Sequence, residues 1–281
     1  MRIPKGSQFM LLSAFFVSLI SLGVKLLTRI PAAEVVFFKS LAALMITLSL
    51  LRYRQLPVWG TNHRLLLARG TSNALQVTLF FIMVQHIPLP SAFTIRYIAP
   101  IFTALLGTFI VNESLRLRQA VFFALSFAGI VLINGFALTE ASWYIGVGLV
   151  SAFLGALSYN FVRKIEHQEH PLVIAFYAYF MSTLLMAPSV AHNFVALQQQ
   201  EVFILGILSV LGFTAQYYSV KAYQHGPVAI VSATSYVAVF YALVFSYLFF
   251  NETLPLLKLL GLGLVLLGVL LNVFYGQKKT R

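Results

Sequence analysis

Apolar segments long enough to cross a lipid bilayer recur along the whole of this 281-residue chain. A membrane-spanning helix needs about 20 mainly apolar residues. Only 9% of the residues are charged, against about 25% in water-soluble domains. The sequence therefore predicts an all-α membrane protein with ten transmembrane helices. The predicted spans are residues 9–28, 32–51, 64–86, 90–111, 115–134, 143–164, 171–190, 201–224, 227–250 and 254–275.

The net charge of +12 indicates orientation in a membrane rather than binding of nucleic acid. If the N-terminus is cytoplasmic, thirteen basic residues lie on the cytoplasmic side and only Lys25, Arg29 and Lys258 lie outside. Cytoplasmic loops of membrane proteins carry such an excess of Lys and Arg. We therefore predict a multi-pass protein of a bacterial inner (plasma) membrane with both termini in the cytoplasm. The thirteen are Arg2, Lys5, Arg52, Arg54, Arg64, Arg116, Arg118, Arg163, Lys164, Lys221, Lys278, Lys279 and Arg281.

The two halves of the chain are related by an internal repeat at an offset of 139 residues. Its aligned motifs are Gln85-His86-x-Pro88 with Gln224-His225-x-Pro227, Tyr97 with Tyr236, Asn112-Glu113-x-Leu115 with Asn251-Glu252-x-Leu254, and Gly129 with Gly268. Each half holds five spans, and an odd number inverts the second half relative to the first. We predict two inverted repeats, residues 1–138 and 139–281, with a substrate site between them near mid-membrane. Glu113 and Glu252 are interpreted as structural, because a carboxylate at the start of a helix is stabilised by the helix dipole.

These motifs resemble the drug/metabolite transporter superfamily in its EamA branch. The resembling segments are Arg69-Gly70, Ile95-Arg96-Tyr97-x-x-Pro100, Asn112-Glu113-x-Leu115, Gly129 and Asn251-Glu252-x-Leu254. The first two are most similar to the solute carrier 35 G-type subgroup. The resemblance implies a ten-helix fold, alternating access, and a central cavity lined mainly by spans 1, 3, 4, 6, 8 and 9. Ser235 stands where the second half would repeat Arg96, so the charges of any site are asymmetric.

Ionisable and polar side chains at membrane depth are the candidates for the substrate site, because in lipid they should face a cavity or a partner. Arg69, Asn73 and Gln76 share one face of span 3, although hydrogen bonds between helices would also explain that stripe. Snorkelling to the interface is an equal alternative for Lys25. The side chains that we predict to contact the substrate are Lys25, Lys39, Arg69, Asn73, Gln76, Arg96, Tyr97, Tyr159, Gln216, Tyr217 and Tyr236.

The excess of buried cations predicts a small anionic metabolite as the substrate, since arginine binds carboxylate and phosphate through a two-pronged contact. The predicted function is secondary active transport, by exchange or by proton coupling through Glu34. An exporter of neutral or aromatic metabolites, such as amino acids, is the alternative. The partners are the lipid bilayer and the small-molecule substrate, and a homodimer is left open.

An enzyme is not predicted. The chain has no cysteine and no aspartate, and it contains no zinc-protease, nucleophile-elbow or phosphate-loop motif. We predict no cofactor and no metal. A passive channel is disfavoured because no ring of like charges recurs and the two-half repeat favours a carrier.

Overall fold

The computed structural model describes residues 3–24, 27, 29–86, 95–134, 142–166, 168–250 and 256–277. Within these ranges the chain forms helices and turns and no β-strand. The helices are α1 (Lys5–Val24), α2 (Ala32–Tyr53), α3 (His63–His86), α4 (Ala99–Ile110), α5 (Leu117–Asn134), α6 (Ser142–Ile165), α7 (Pro171–His192), α8 (Gln199–Gln224), α9 (Val228–Thr234), α10 (Val237–Phe250) and α11 (Leu256–Gln277).

Ten apolar helical stretches of the described chain correspond one to one with the predicted spans, which confirms the all-α prediction. Five are long and apolar enough by themselves to cross a membrane: Ala32–Tyr53, His63–Met83, Trp143–Ile165, Pro171–His192 and Gln199–Gln224. Five are shorter: Lys5–Ile20, Ala99–Ile110, Leu117–Ile133, Val228–Tyr241 and Leu259–Tyr275. The first helix begins at Lys5 rather than at residue 9.

Predicted spans 4 and 9 are interrupted rather than continuous. Helix α4 begins at Ala99 after a turn at Tyr97 and Ile98, because Pro100 has no N–H to continue a preceding helix and favours the first turn of a new one. Helices α9 and α10 are separated by a turn at Ser235 and Tyr236. There the Ser235 hydroxyl bonds back to the carbonyl of residue 232 at 2.7 Å, an interaction that bends helices.

Helices α5 and α11 cross so closely that glycine is required at the contact. A Cβ added to Gly129 would lie 2.5 Å from the carbonyl oxygen of Gly261, and one added to Gly268 would lie 2.7 Å from that of Phe122. Residues 129 and 268 are 139 apart, and so are residues 122 and 261. The two contacts are therefore counterparts of each other under the sequence repeat.

Serine hydroxyls join the helices around the centre of the bundle. The Ser13 hydroxyl donates from α1 to the carbonyl of Ala215 on α8 at 2.9 Å. The Ser151 hydroxyl donates from α6 to the carbonyl of Gln76 on α3 at 2.8 Å. The two acceptors are again 139 residues apart, so α1 packs on α8 as α6 packs on α3.

Glu113 holds together one end of the bundle, which we call the Glu113 end. Its carboxylate accepts hydrogen bonds from Arg163 Nε at 2.6 Å and from the backbone N–H of Val228 at 2.7 Å. The structural role predicted for Glu113 is thus supported, but the helix N-terminus that it caps is that of α9 rather than of the helix that follows it. The reason is that α5 begins only at Leu117. Glu252 lies outside the described residues.

Glu201 closes the opposite end, the Glu201 end. Its carboxylate accepts from Arg29 Nε at 2.9 Å. At the same end the ring of His86, the last residue of α3, stacks on Tyr144 near the start of α6 with 4.3 Å between centroids. Helix α1, in contrast, starts at the Glu113 end, where a Cβ on Gly6 would meet the carbonyl of Ala222 at 2.9 Å.

Candidate functional site

A cavity of about 130 Å³ lies between the helices in the middle of the bundle. A void of only about 10–15 Å³ can hold one water molecule, so this cavity has room for a small organic molecule. Helices α1, α2, α3, α6, α7 and α8 line it, together with Arg96 ahead of α4. None of its described lining residues comes from α9 or α10, whereas α2 and α7 contribute although the family resemblance did not imply them. The lining residues are Ser13, Val17, Ile20, Lys39, Ser40, Asn73, Gln76, Val77, Phe80, Phe81, Arg96, Tyr159, Tyr179, Ser182, Gly212, Ala215, Gln216 and Ser219.

Two cations stand at one side of this cavity, each over an aromatic ring. The guanidinium carbon of Arg96 lies 4.5 Å from the centroid of the Phe80 ring, and Lys39 Nζ lies 5.4 Å from that of Phe81. Each side chain is half-buried. Among the described residues, no carboxylate lies within 4 Å of either cation. The rings stabilise the cations in part, but the charges remain available to an anion.

Amide side chains line the adjoining part of the cavity. Asn73 and Gln76 follow each other on α3 and line the wall, and Gln216 faces it from α8. Helix α3 is held in place here by α6, since Ser158 Oγ donates to the carbonyl of Arg69 at 3.3 Å. The predicted polar stripe of span 3 thus reaches the cavity through Asn73 and Gln76.

Arg69 begins that stripe but does not reach the cavity wall. It is fully buried, at 0% exposure, and its Nη1 donates to the carbonyl of Ile174 at 3.4 Å. Only one orientation of the Gln216 amide satisfies both side chains, the one that turns its oxygen toward Arg69. Nη1 of Arg69 then donates to that oxygen at 3.2 Å, and Nη2 donates to it as well.

The predicted tyrosines divide between the cavity and the apolar core. Tyr159 lines the cavity and stacks on Tyr223 with 4.6 Å between ring centroids. Tyr97 and Tyr236, which the repeat pairs, lie 6.1 Å apart by centroid in a core cluster beside α5 and α11. Tyr217 stacks on Phe213. The structure therefore brings one of the four predicted tyrosines to the cavity wall.

Glu34 and Lys25 complete the predicted set. Glu34 is buried at 1% exposure, and its Oε2 accepts from the backbone N–H of Val195 at 3.1 Å. Its Oε1 has no hydrogen-bond partner among the described residues. Glu34 is not part of the cavity wall. Lys25 falls outside the described residues.

Sequence reasoning missed the aromatic side chains of the cavity. Phe80 is four residues after Gln76, so the helical spacing of the polar stripe extends to it and could have predicted it. Phe81 and Tyr179 carry no such signal, because an aromatic residue in an apolar helix has no feature that distinguishes it from its neighbours. Tyr179 lines the wall and donates its hydroxyl to the carbonyl of Gly212 at 3.0 Å.

Comparison with known proteins places these features in a wider group. The sequence model of the EamA-like transporter family matches residues 4–135 and 142–274. The chain is similar to the pseudopaline exporter of Pseudomonas aeruginosa, with 27% identity over 267 residues that cover 92% of each protein. It is similar to mouse solute carrier family 35 member G1, with 28% identity over 130 residues, 46% of this chain and 35% of that one. A crystal structure with 14% sequence identity superposes with a TM-score of 0.85 over 98% of this chain and 100% of its own.

Proposed function

We propose that this chain, which belongs to the EamA-like transporter family, is a secondary carrier that moves a small anionic organic metabolite by alternating access. Membership makes the chain an integral membrane transporter rather than an enzyme. The substrate's charge, the mechanism and the coupling are the proposal. The solved structure supports the fold alone, and a relative's named cargo describes that relative only.

The observation that carries the proposal is the pair of cations in the cavity, Arg96 and Lys39, which have no carboxylate partner in the described part of the chain. Holding an ionised side chain at membrane depth costs several kcal/mol, on the order of 3 kcal/mol even on the most lenient scale. An anion bound between the two cations would compensate that cost. A neutral ligand would leave both charges uncompensated.

The two-half plan with opposite orientations is supported by the helix contacts. Helix α1 starts at the Glu113 end, whereas α6, its counterpart in the second half, starts at the Glu201 end. The glycine contacts of α5 with α11 and the serine contacts of α1 with α8 and α3 with α6 come in pairs 139 residues apart. Inverted repeats, here residues 1–138 and 139–281, are the usual frame for rocking around a central site. Two cytoplasmic termini agree with the distribution of basic residues, and a homodimer stays a prediction.

Exchange of one anion for another is the coupling that the site supports best. Glu34, the predicted proton acceptor, is buried away from the cavity wall and fastens the chain near Val195. Proton coupling through Glu34 would require its carboxyl to exchange protons with water during the cycle. Uptake that persists at a fixed rate in Glu34→Gln, with no pH dependence, would exclude that route.

The first experiment is a thermal-shift screen of metabolites on the purified protein, because a ligand that binds only the folded state raises its stability. A metabolite that stabilises the protein is then used for counterflow in proteoliposomes. Arg96→Gln and Lys39→Gln should each reduce exchange at least tenfold while the protein remains folded. Arg118→Gln is the matched control, since Arg118 lies at the start of α5 against the Tyr275 ring. Normal exchange by both cavity variants would overturn the anion site.

A neutral or aromatic metabolite is the second candidate, and the aromatic walls favour it. Phe80, Phe81, Tyr159 and Tyr179 all line the cavity and could enclose an apolar side chain. The same screen separates the two candidates. Stabilisation by neutral amino acids, with no effect of any anion, would favour this second reading.

A further inference from the structure

The geometry points to Arg69 as a positioning residue, which fixes the amide of Gln216 and makes that part of the cavity a hydrogen-bond donor for an oxygen acceptor on the substrate. The inference rests on the proposed anion site, because Arg96 and Lys39 are taken to hold the anionic group at the other side. It assigns the substrate a second feature, a carbonyl or similar acceptor at a distance from its charge.

Arg69 can act on the substrate only through another group. Its side chain is at 0% exposure and is absent from the cavity wall. A guanidinium has five N–H donors and no acceptor. Whatever faces its terminal nitrogens must therefore be an acceptor, and besides the carbonyl of Ile174 the described partner is the oxygen of Gln216.

This contact decides which end of the Gln216 amide is turned away from Arg69. The amide has an oxygen that only accepts and an NH₂ group that only donates. With the oxygen held by two nitrogens of Arg69, the NH₂ group is left on the opposite side of a side chain that lines the cavity. No carboxylate neutralises Arg69 among the described residues, and its charge polarises the amide and strengthens this donor.

The donor and the cations lie at different levels of the cavity. Phe80, which carries Arg96, is eleven residues beyond Arg69 on α3, a rise of about 16 Å at 1.5 Å per residue. Long side chains on both sides shorten the gap between the charged groups and the amide. A ligand that satisfies both must still present its acceptor several ångströms from its anionic group.

The test uses two matched pairs of probe anions that differ by one carbonyl: pentanoate with 4-oxopentanoate, and heptanoate with 6-oxoheptanoate. A ketone adds an acceptor and no donor. Titration followed by thermal shift on the purified protein should give about three- to tenfold tighter binding for the keto acid of at least one pair, the range of a single net hydrogen bond. Gln216→Met and Gln216→Glu should remove that advantage, because neither new side chain can donate.

A double-mutant cycle separates positioning from direct contact. Arg69→Leu frees the Gln216 amide to turn, so the keto acid should lose its advantage in the native background. In the Gln216→Met background, Arg69→Leu should leave the ratio of the two affinities unchanged. Arg69→Lys keeps a donor toward the Gln216 oxygen and should retain most of the advantage, which controls for a loss of folding in Arg69→Leu.

The outcomes distinguish the two levels of the proposal. Equal affinity for the acid and the keto acid of both pairs, with binding still lost in Arg96→Gln, would overturn the donor site and leave the anion site standing. A change in the ratio caused by Arg69→Leu in the Gln216→Met background would show that Arg69 contacts the ligand directly. If none of the four anions stabilises the protein, the anion site itself fails, and the donor site fails with it.

Discussion

The crossing of α5 and α11 makes a prediction whose size can be worked from the structure. In Gly129→Ala the new methyl group would lie 2.5 Å from the carbonyl oxygen of Gly261, about 1 Å closer than a normal contact between non-bonded heavy atoms. The obstacle is helix backbone, which cannot rotate away as a side chain can, so the two helices must separate. Such overpacking costs about 1–3 kcal/mol.

The matched control is Gly146→Ala on α6, where a Cβ would meet nothing within 4 Å. Both variants gain the same helix propensity, about 1 kcal/mol for alanine over glycine, and this gain cancels when they are compared. The free energy of unfolding of Gly129→Ala should therefore be about 1–3 kcal/mol below that of Gly146→Ala. The measurement is unfolding in mixed micelles of increasing SDS fraction. Equal stability of the two variants would refute the close crossing of α5 and α11.

Two further predictions concern polar groups elsewhere in the bundle. Burial alone would raise the pKa of the Glu169 carboxyl, but hydrogen bonds from Thr61 and its neighbour hold it below its ordinary value of 4.5; the contribution to stability is therefore complete above about pH 4.5 and is lost as the pH falls through the folded pKa. Thermal melts should show Glu169→Gln less stable than the native protein at pH 7 and the difference shrinking toward pH 3.5, and a constant difference would contradict this reasoning. The Tyr236 hydroxyl is buried with no hydrogen-bond partner in the described chain, whereas that of Tyr179 donates to Gly212. The same melts should show Tyr236→Phe as stable as the native protein or more stable and Tyr179→Phe less stable by about 1 kcal/mol, and the reverse order would contradict the assignment.

The helices were predictable from the sequence because apolar length alone reports a transmembrane segment. The interruptions were not, although one of them had a visible cause. Pro100 ends the hydrogen-bonding pattern ahead of α4, and a proline inside an apolar run is a signal that the sequence analysis could have used. The turn at Ser235 and Tyr236 has no proline. It depends on a local hydroxyl bond that a sequence does not reveal.

The site was predictable where the periodicity of one helix decides what shares a face, as for Asn73 and Gln76. It was not predictable where contacts between helices decide. The depth of Arg69 in α3 predicted a side chain facing the substrate, but Gln216 on α8 stands between it and the cavity. Tyr97 and Tyr236 were paired correctly by the repeat, yet their rings pack against each other in the core.

The most direct test of the anion site is an experimental structure of the protein with a transported metabolite bound. The account predicts that an anionic oxygen of the ligand lies within about 4 Å of both Arg96 and Lys39, in a charge-assisted contact, inside the cavity between α2 and α3. A ligand bound there with its anionic group turned away from both cations would contradict the account. So would a structure in which Arg96 and Lys39 are each paired with a carboxylate of the protein itself.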